Sequence, residues 1–319
     1  MLSRFNTKTL VAVLVFLVAL FIILLYTDHT DSSFKTELVV VDTAVVNRIL
    51  IEIPGKDTAT LIKENGKWYL LGKDGMMSAD ANKVKALLAR VSPLKTLRLA
   101  TTSKKQWGKY GVGEKDRYSA IQFYDGKKLL GDVILGKVDF QAPEADEQNP
   151  YMRGNQGVMI GYVRSGKDDE VYVIDGYLKL TFAGDVKSYR NKELIKLNPS
   201  DITNVDFQSG EAHFSLAKKD DHWWVDDQKA DSANTVKFIN NISRLNGYDY
   251  FSKKEVGKIK PVGTVKITAG NNLVTVKAYA VDSVNFALES SVNENNMIKD
   301  KKGRIFNRLF KEKQYFEGK

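Results

Sequence analysis

Two similar tryptophan-centred segments constrain the fold of this chain more than any other feature of its sequence. One covers residues 61–70 around Trp68, and the other covers residues 216–225 around Trp223. Each has an apolar run, a short polar turn and then an aromatic run, which is the pattern of a β-hairpin. The sequence therefore predicts a duplicated fold in which each copy contains such a hairpin.

The patterns around the two hairpins also repeat. In the first copy, a strand pattern at 49–53 precedes the hairpin, and a helix capped by Ser78 or Asp80 follows it. A strand pattern at 202–207 and a helix capped within 231–234 take the same places in the second copy. We therefore predict an α+β fold of two tandem modules, each an antiparallel β-meander packed on a helix with further β-strands. The predicted apolar helix faces are Val84, Leu87, Leu88 and Val91 in the first copy, and Phe238, Ile239, Ile242 and Leu245 in the second.

The N-terminal residues predict an N-terminal transmembrane helix. Arg4 and Lys8 precede an uncharged apolar run over residues 10–26. As a helix this run would span roughly 25 Å, near the lower limit for crossing a bilayer. We prefer an uncleaved signal anchor; a buried helix and a cleaved signal peptide are the alternatives. The positive-inside rule then keeps the N-terminus in the cytoplasm, so we expect a single-pass bacterial inner-membrane protein whose bulk is periplasmic.

The anchor and the repeat together divide the chain into four predicted regions. Residues 1–27 form a cytoplasmic stub and transmembrane signal anchor, and residues 28–44 form a tether. Residues 45–197 form the first α+β module, and residues 198–319 form the second, which ends in a basic tail. The chain contains no cysteine, which excludes disulfides, thiolate metal sites and cysteine nucleophiles.

The formal net charge of +9 is densest in the tail over residues 299–319. Nucleic acid is not expected outside the cytoplasm, so an anionic lipid surface, an acidic glycan or a partner protein are the candidate ligands, and a solvated basic face is the alternative. An apolar stripe in the tail predicts that it docks on the second module, although it could also lie on a membrane or partner surface. The stripe consists of Ile305, Phe306, Leu309 and Phe310. The cations beside this stripe are candidates for an interaction surface: Arg304, Arg308 and Lys311.

Side chains suited to catalysis do not form a known motif, so no catalytic, cofactor-binding or metal residue is predicted. The three histidines are His29, His213 and His222. The second hairpin could bring the last two together, but a metal would need a third ligand from the acidic pair 220–221. There is no nucleophile elbow, dinucleotide fingerprint or phosphate loop. The acidic groups at 168–170 and 220–221 are expected in solvated turns, and an unrecognised hydrolase is a further alternative.

The aromatic pairs of the two hairpins are the remaining candidates for function. Adjacent residues of a strand face opposite sides of the sheet. We therefore predict that Trp68 and Trp223 belong to the structural core, where each faces its helix. Tyr69 and Trp224 then face away, as a possible interaction surface. They would either pack between the copies or stack on sugar rings, as in a glycan- or cell-wall-binding module.

The order of several motifs along the chain resembles a known bacterial family. The motifs are Glu64-Asn-Gly-Lys-Trp68-Tyr-Leu70, Trp107-Gly-Lys-Tyr-Gly-Val112, Val171-Tyr-Val173 and Tyr189-Arg-Asn-Lys-Glu-Leu194. This series resembles the domain of unknown function 4340 family (DUF 4340) over residues 45–260. The proline that this family has after the first tryptophan strand is absent, and Gly72-Lys-Asp-Gly75 stands in its place.

The resemblance implies a membrane-anchored or exported protein to which no activity, catalytic residue or cofactor is assigned. Members of the family are often encoded beside components of gliding-type ABC transporters. The resemblance therefore implies a non-enzymatic accessory or interaction component of an ABC-type transport system, with a membrane-protein partner.

Overall fold

The computed structural model describes residues 13–14, 16–19, 35–56, 58–72, 75–141, 157–176, 186–251, 256–257, 259–293 and 295–317. Residues 1–36 and residues 37–319 form two separate compact units. In the first unit, residues 13–14 and 16–19 are helical and their side chains are exposed. Within the described ranges, no helix is both long and apolar enough to cross a membrane. The predicted span 10–26 lies largely outside the described residues, and His29 lies entirely outside them.

The second unit contains two similar modules, which we describe by their regular elements. The first module has β1 (Glu37–Val39), β2 (Arg48–Glu52), β3 (Ala59–Glu64), β4 (Lys67–Gly72), β5 (Gly75–Ser78), α1 (Ala81–Val91), β6 (Leu94–Lys95), β7 (Arg98–Thr101), α2 (Trp107–Tyr110), β8 (Ser119–Asp125), β9 (Lys128–Gln141), β10 (Val158–Arg164) and β11 (Val171–Asp175). The second module has β12 (Glu193–Lys196), β13 (Ile202–Ser209), β14 (Ala212–Lys219), β15 (His222–Val225), β16 (Gln228–Lys229), α3 (Ser232–Ile242), β17 (Arg244–Asn246), β18 (Asp249–Phe251), β19 (Gly263–Ala269), β20 (Asn272–Ala280), β21 (Phe286–Ser290), β22 (Met297–Asp300), α4 (Phe306–Leu309) and α5 (Gln314–Glu317). Short 3₁₀ turns occupy Lys104–Gln106, Val186–Tyr189, Pro199–Asp201 and Lys301–Gly303.

The strand order is the same in both modules. In the described residues, the main sheet of the first module has nine strands in the order β5-β4-β3-β2-β8-β9-β10-β11-β7. The second has the corresponding order β16-β15-β14-β13-β19-β20-β21-β22-β18. Each module adds a two-stranded sheet, β1-β6 or β12-β17, and these pairings are antiparallel. The predicted duplication of an antiparallel α+β module is therefore confirmed.

Both tryptophan hairpins form with two-residue turns. Glu64 pairs with Lys67 across the first turn, and Lys219 pairs with His222 across the second. The turn residues Asn65-Gly66 and Asp220-Asp221 all have positive φ angles. Asn, Asp and Gly tolerate this conformation best, and such turns match the twist of paired strands. The turn chemistry therefore fixes the register of both hairpins.

The helix of each module is capped by an aspartate and packs its apolar side on the sheet. The Asp80 carboxylate accepts hydrogen bonds from the Asn82 and Lys83 backbone N–H groups at the start of α1. Asp231 accepts one from Asn234 at the start of α3. These bonds satisfy N–H groups that have no partner inside the helix. The buried residues of α1 are the four predicted, whereas Leu245, predicted on the second helix, is buried from strand β17.

Each module has apolar clusters on its sheet. Trp68, 9% exposed, belongs to the first main core, and Trp223, 8% exposed, belongs to the second. A smaller cluster in the first module contains Tyr110 and Val112 from the segment around α2. Gly111, at φ +65°, ends α2 in the left-handed conformation, and an added Cβ would meet the Lys137 side chain. This segment thus needs glycine where it turns back to the sheet.

The predicted boundaries differ from the structure in three places. The expected tether contains β1, which pairs with β6 and so belongs to the first module. Strand β12, expected at the end of the first module, pairs with β17 of the second. Strand β5, the edge strand of the first sheet, lies between the first hairpin and α1, where no strand pattern was predicted. These strands are short, and their pairing does not show in a local alternation of residues.

Candidate functional site

The connector between the modules, residues 189–192, extends the edge of the first sheet. The Asp80 N–H donates to the Tyr189 carbonyl at 2.8 Å, and the Asn191 N–H donates to the Ser78 carbonyl at 2.9 Å. Between these bonds, Arg190 forms an antiparallel bridge with Ala79. The connector is therefore held as an added strand segment on the first module immediately before the second module begins.

Two buried asparagines of the second module bind the connector and the first module. Asn293 and Asn296 lie in the loop between β21 and β22 and are 0% and 1% exposed. Asn296 Nδ2 donates to the Ser78 carbonyl at 3.0 Å and to Asn293 Oδ1 at 2.6 Å. Asn293 Nδ2 donates to the Asn191 carbonyl at 2.7 Å. Buried amides that are satisfied in this way favour one geometry, because any shift would leave a polar group without a partner.

Arg190 completes this junction together with Tyr250. Arg190 Nε donates to Asn296 Oδ1 at 2.9 Å, and its guanidinium carbon lies 3.7 Å from the centroid of the Tyr250 ring. The Tyr250 hydroxyl donates to the Arg190 carbonyl at 2.8 Å. Burial raises the pKa of Tyr250 above its usual value, although the charge of Arg190 opposes this. The hydroxyl therefore keeps the proton with which it donates.

A groove of about 500 Å³ lies beside the junction and is lined by both modules. Its residues come from the start of α1, from the connector, and from strands β12 and β17. They are Asp80, Asn82, Lys83, Asn191, Lys192, Glu193, Ile195, Lys196, Arg244 and Asn246. Four of these side chains are cationic, two are carboxylates and three are amides. We call this feature the junction groove.

Several charged groups of the junction groove are held by structural contacts. Lys83 Nζ donates to the Ser188 carbonyl at 2.6 Å, and Lys192 Nζ donates to the Tyr248 carbonyl at 3.3 Å. Lys196 Nζ lies 3.6 Å from a Glu193 carboxylate oxygen. These contacts are solvent-exposed, so the three ammonium groups stay accessible at the groove. The arrangement can recognise a polar or acidic ligand through ionic and amide hydrogen bonds.

The basic tail docks on the second module, as its apolar stripe predicts. Phe316 is fully buried, with ring centroids 5.7, 6.0 and 5.0 Å from those of Phe207, Phe214 and Phe238. The Asp231 N–H donates to the Phe316 carbonyl at 2.7 Å. In the first module, the Asp80 N–H makes the same bond to the connector. Phe316 at the end of the tail therefore corresponds to Tyr189 of the connector. Sequence patterns did not indicate this correspondence.

The three predicted tail cations have different environments. Arg308 Nη2 donates to the Asn241 carbonyl on α3 at 2.8 Å. Lys311 Nζ donates to the Asn307 carbonyl at 2.6 Å and lies 5.3 Å from the centroid of the Tyr315 ring. Arg304 is exposed and lines a second, smaller pocket. The structure therefore does not bring the three together at one site.

The predicted outward aromatics lie on the sheet faces opposite their helices. Tyr69 and Trp224 are both partly exposed. Tyr69 pairs with Ile62 and Ser78 across its neighbouring strands. Neither aromatic side chain is among the residues that line the junction groove. Tyr69 and Trp224 therefore remain candidates for a separate surface.

The second hairpin does not bring His213 and His222 together. Gln208 pairs with His213, whereas Lys219 pairs with His222, so the histidines flank opposite ends of β14. Six positions of extended chain separate these ends by roughly 20 Å. Within the described part of the chain, no group of three or more His, Cys, Asp or Glu residues could hold a metal ion.

Sequence reasoning missed the groove and the asparagines beneath it. Asn293 and Asn296 stand in an asparagine-rich run between two strand patterns, and such a run is typical of an ordinary turn. Their hydrogen-bond partners lie 102 and 218 positions away in the chain. No local pattern could therefore have indicated their role.

Fold and site together define a class: a tandem α+β protein whose two similar modules meet at a hydrogen-bonded polar junction beside a groove. A model of the family described as Domain of unknown function (DUF4340) matches residues 73–263, which is more than half of the chain. The chain therefore belongs to this family, as its motif order predicts. The match contains every residue of the junction groove but begins after the Trp68 hairpin. No curated protein and no solved structure matches the chain.

Proposed function

We propose that the protein is a non-enzymatic accessory component that binds an acidic segment of a membrane-protein partner in the junction groove. The observation that carries this proposal is the excess of cations in a groove shared by two modules. Its volume of about 500 Å³ falls within the usual range for ligand sites, which often lie where domains meet. The partner that we propose is a membrane component of an ABC-type, gliding-type transport system, which the family resemblance favours.

The rigid junction supports a role in binding. Its buried hydrogen bonds fix the two walls of the groove relative to each other, so little order has to be gained when a partner binds. The cations would favour an acidic partner and speed its association more than they would raise the final affinity. A surface of this kind suits selective recognition by an accessory protein.

We also propose that residues 10–26 anchor the protein in the bacterial inner membrane, with the body in the periplasm. The run is uncharged and apolar, and Arg4 and Lys8 precede it. This charge arrangement favours a cytoplasmic N-terminus. Anchoring would hold the junction groove close to membrane-embedded partners and so raise their effective concentration.

The groove is tested by cross-linking from its rim in the full-length, membrane-bound chain. A photoreactive amino acid at Asn246 should cross-link a membrane component of an ABC-type transporter. The double charge reversal Lys196→Glu/Arg244→Glu should reduce this cross-link about tenfold or more, because two cation contacts become repulsive. Lys219→Glu/Lys266→Glu is the matched control, since it makes the same charge change at exposed positions elsewhere on the second module.

Two results would contradict the proposed function. If the same proteins cross-link equally well after the groove reversal, the junction groove is not the binding surface. If the matched control lowers the cross-link as much as the groove reversal does, the effect reflects net charge. Thermal unfolding of both variants shows whether either has lost the fold.

Glycan binding is a second candidate function, favoured by the partly exposed Trp224 on the face of the second sheet. An aromatic ring in this position could stack on a sugar ring. Trp224→Ala should then abolish binding to cell-wall material, and Tyr69→Ala should weaken it. Unchanged binding would reject this alternative. The hydrolase alternative has no such support, because the acidic pair 220–221 forms a hairpin turn.

A further inference from the structure

A second basic surface lies on the second module at the end of strand β22. Its cations are Lys299, Lys301, Lys302 and Arg304, which line a pocket of about 260 Å³ with Tyr248, Asp249 and Asp300. Lys301, Lys302 and Arg304 are exposed. We call these four cations and Tyr248 the basic loop patch.

Hydrogen bonds to Asp300 and Asn285 hold the loop that follows β22. Asp300 is 2% exposed, and its carboxylate accepts the Ile305 N–H at 3.0 Å and the Phe306 N–H at 2.7 Å. The Lys302 N–H donates to Asn285 Oδ1 at 3.1 Å. The Asp300 carboxylate is thus occupied inside the loop, which leaves Asp249 as the acidic side chain at the rim.

The apolar stripe of the tail explains why the cations face outward. Ile305 and Leu309 are buried in the core of the second module. Lys302 and the following Gly303 both have φ of +59°, and the chain turns there between β22 and the tail. Docking of the stripe on the core therefore leaves Lys301, Lys302 and Arg304 exposed on the loop, beside the half-buried Lys299 of β22.

Tyr248 adds an exposed aromatic ring to the basic loop patch. It is 80% exposed, and its side chain lines the same pocket as the loop cations. Tyrosine is enriched where proteins meet the headgroup region of a bilayer, because its ring is apolar and its hydroxyl is polar. An exposed tyrosine beside several cations therefore matches the chemistry of an anionic lipid surface.

We propose that the basic loop patch docks on the anionic headgroups of the bilayer that anchors the protein. The proposal rests on the proposed membrane location and specifies a second contact with the same membrane. Each lysine or arginine close to an anionic surface strengthens attachment about fivefold. The second contact would fix the orientation of the second module at the membrane.

A label in the patch tests this proposal on the full-length chain. The chain has no cysteine, so Lys301→Cys carries a single environment-sensitive dye. The chain is reconstituted in liposomes of phosphatidylcholine, either alone or mixed with phosphatidylglycerol. Quenchers on the lipids should quench this dye in the phosphatidylglycerol liposomes and not in the neutral ones. A dye on Glu211→Cys, in an exposed turn between β13 and β14, is the control and should stay unquenched.

Charge reversal tests whether the cations cause the docking. In the labelled chain, Lys302→Glu/Arg304→Glu should reduce the docking equilibrium about 25-fold or more, because at least two attractive contacts are lost. The matched control Lys219→Glu/Lys266→Glu should leave docking in place. Equal quenching in both kinds of liposome, or quenching that survives the patch reversal, would overturn the proposal.

Two further experiments distinguish lipid from other ligands of the patch, and patch binding from membrane insertion of the anchor. Loss of quenching on addition of inorganic phosphate would identify a small-anion site. Quenching that requires an added membrane-protein fraction would identify a protein partner. Either result overturns lipid docking. Flotation of the chain with neutral liposomes tests the anchor by itself. A chain that floats without phosphatidylglycerol-dependent quenching rejects the patch alone, whereas a chain that does not float rejects the anchor.

Discussion

Removal of one hydroxyl group should stabilise this protein. Tyr189 lies in the connector between the modules and is 5% exposed in the main core of the first module. Its hydroxyl is buried without a hydrogen-bond partner among the described residues. Phe316, which has no hydroxyl, takes the corresponding place in the second module. The substitution Tyr189→Phe therefore removes a polar atom that the first core does not satisfy.

The magnitude of this effect follows from the cost of an unpaired buried polar group. Such a group costs about 1–3 kcal/mol, and loss of the hydroxyl also removes a few packing contacts. We expect Tyr189→Phe to raise the free energy of unfolding by about 1–2 kcal/mol at neutral pH.

The gain should increase in alkali. Burial raises the pKa of Tyr189 from 10.0 to about 12. Between these values the unfolded chain releases the proton and the folded chain keeps it, so the unfolded state gains stability as pH rises. A shift of this size corresponds to about 2–3 kcal/mol. The stabilisation linked to the protonated Tyr189 hydroxyl is fully present below pH 10 and is lost by about pH 12. Tyr189→Phe has no hydroxyl to titrate, so its stability does not fall in this way.

The assay is urea unfolding of the full-length chain in detergent, with tryptophan fluorescence recorded over a series of pH values. The difference between the variant and the parent is the measured quantity, because it cancels the titration of all other groups. Tyr250→Phe is the control; since the Tyr250 hydroxyl donates to the Arg190 carbonyl, its loss should destabilise the protein by about 1 kcal/mol. The reasoning is refuted if Tyr189→Phe destabilises the protein as Tyr250→Phe does.

Three further substitutions test the packing of the tail and the junction. Phe316→Ala should lower the free energy of unfolding by about 3–5 kcal/mol, measured by urea unfolding, because it leaves a cavity in an aromatic core. Arg190→Ala should cost about 2–3 kcal/mol, since it leaves the buried Asn296 carbonyl oxygen without its charged donor; hydrogen exchange around Asn296 should accelerate. Lys313→Ala should increase proteolytic cleavage of the tail, because Lys313 Nζ pairs with Asp226 at 2.7 Å. Burial raises the pKa of Asp226, but the hydrogen bonds from Lys313 and the backbone outweigh burial, so the net shift lowers this pKa. The stabilisation by the pair is therefore fully present above the unfolded-state pKa of about 3.9. It is lost as the pH falls through the lower pKa of the folded state.

Each of these three predictions has its own control. Phe140, 69% exposed, should tolerate alanine with little loss, and an equal effect at Phe316 would mean that the tail is not docked. Arg244→Ala, at an exposed position of the groove, should leave the stability unchanged, so a loss as large as that of Arg190→Ala would contradict the junction argument. If cleavage of the Lys313→Ala tail exceeds that of the parent equally at all pH values, the Asp226 pair is not its cause.

The local structure of each module was predictable because it depends on neighbouring residues. Positive φ at Asn65-Gly66 and Asp220-Asp221 sets the hairpins, and Asp80 and Asp231 cap the helices. The alternation of aromatic residues places Trp68 in the core and Tyr69 on the opposite face. The repetition of these signals along the chain also predicted the duplication.

The long-range pairings were not predictable, for a physical reason that β12 illustrates. This strand has only four residues, and its partner β17 has three, so neither shows enough alternation to reveal a pairing. The expected boundary lies after β12, whereas the structure pairs β12 with β17. The register of β14 likewise separated two histidines that the hairpin alone could have brought together.

The sequence by itself determined the two hairpins, the helix caps, the repeat and the family, since turns, caps and alternation act over a few residues. The tertiary structure decided where the modules meet. The hydrogen bond of Asn296 to Ser78 joins positions 218 apart, and the Arg190–Asn296 bond joins positions 106 apart. Contacts of this kind depend on how two finished sheets pack, which no local pattern encodes. The junction groove and its cations exist because that packing brings the start of α1 beside strands β12 and β17.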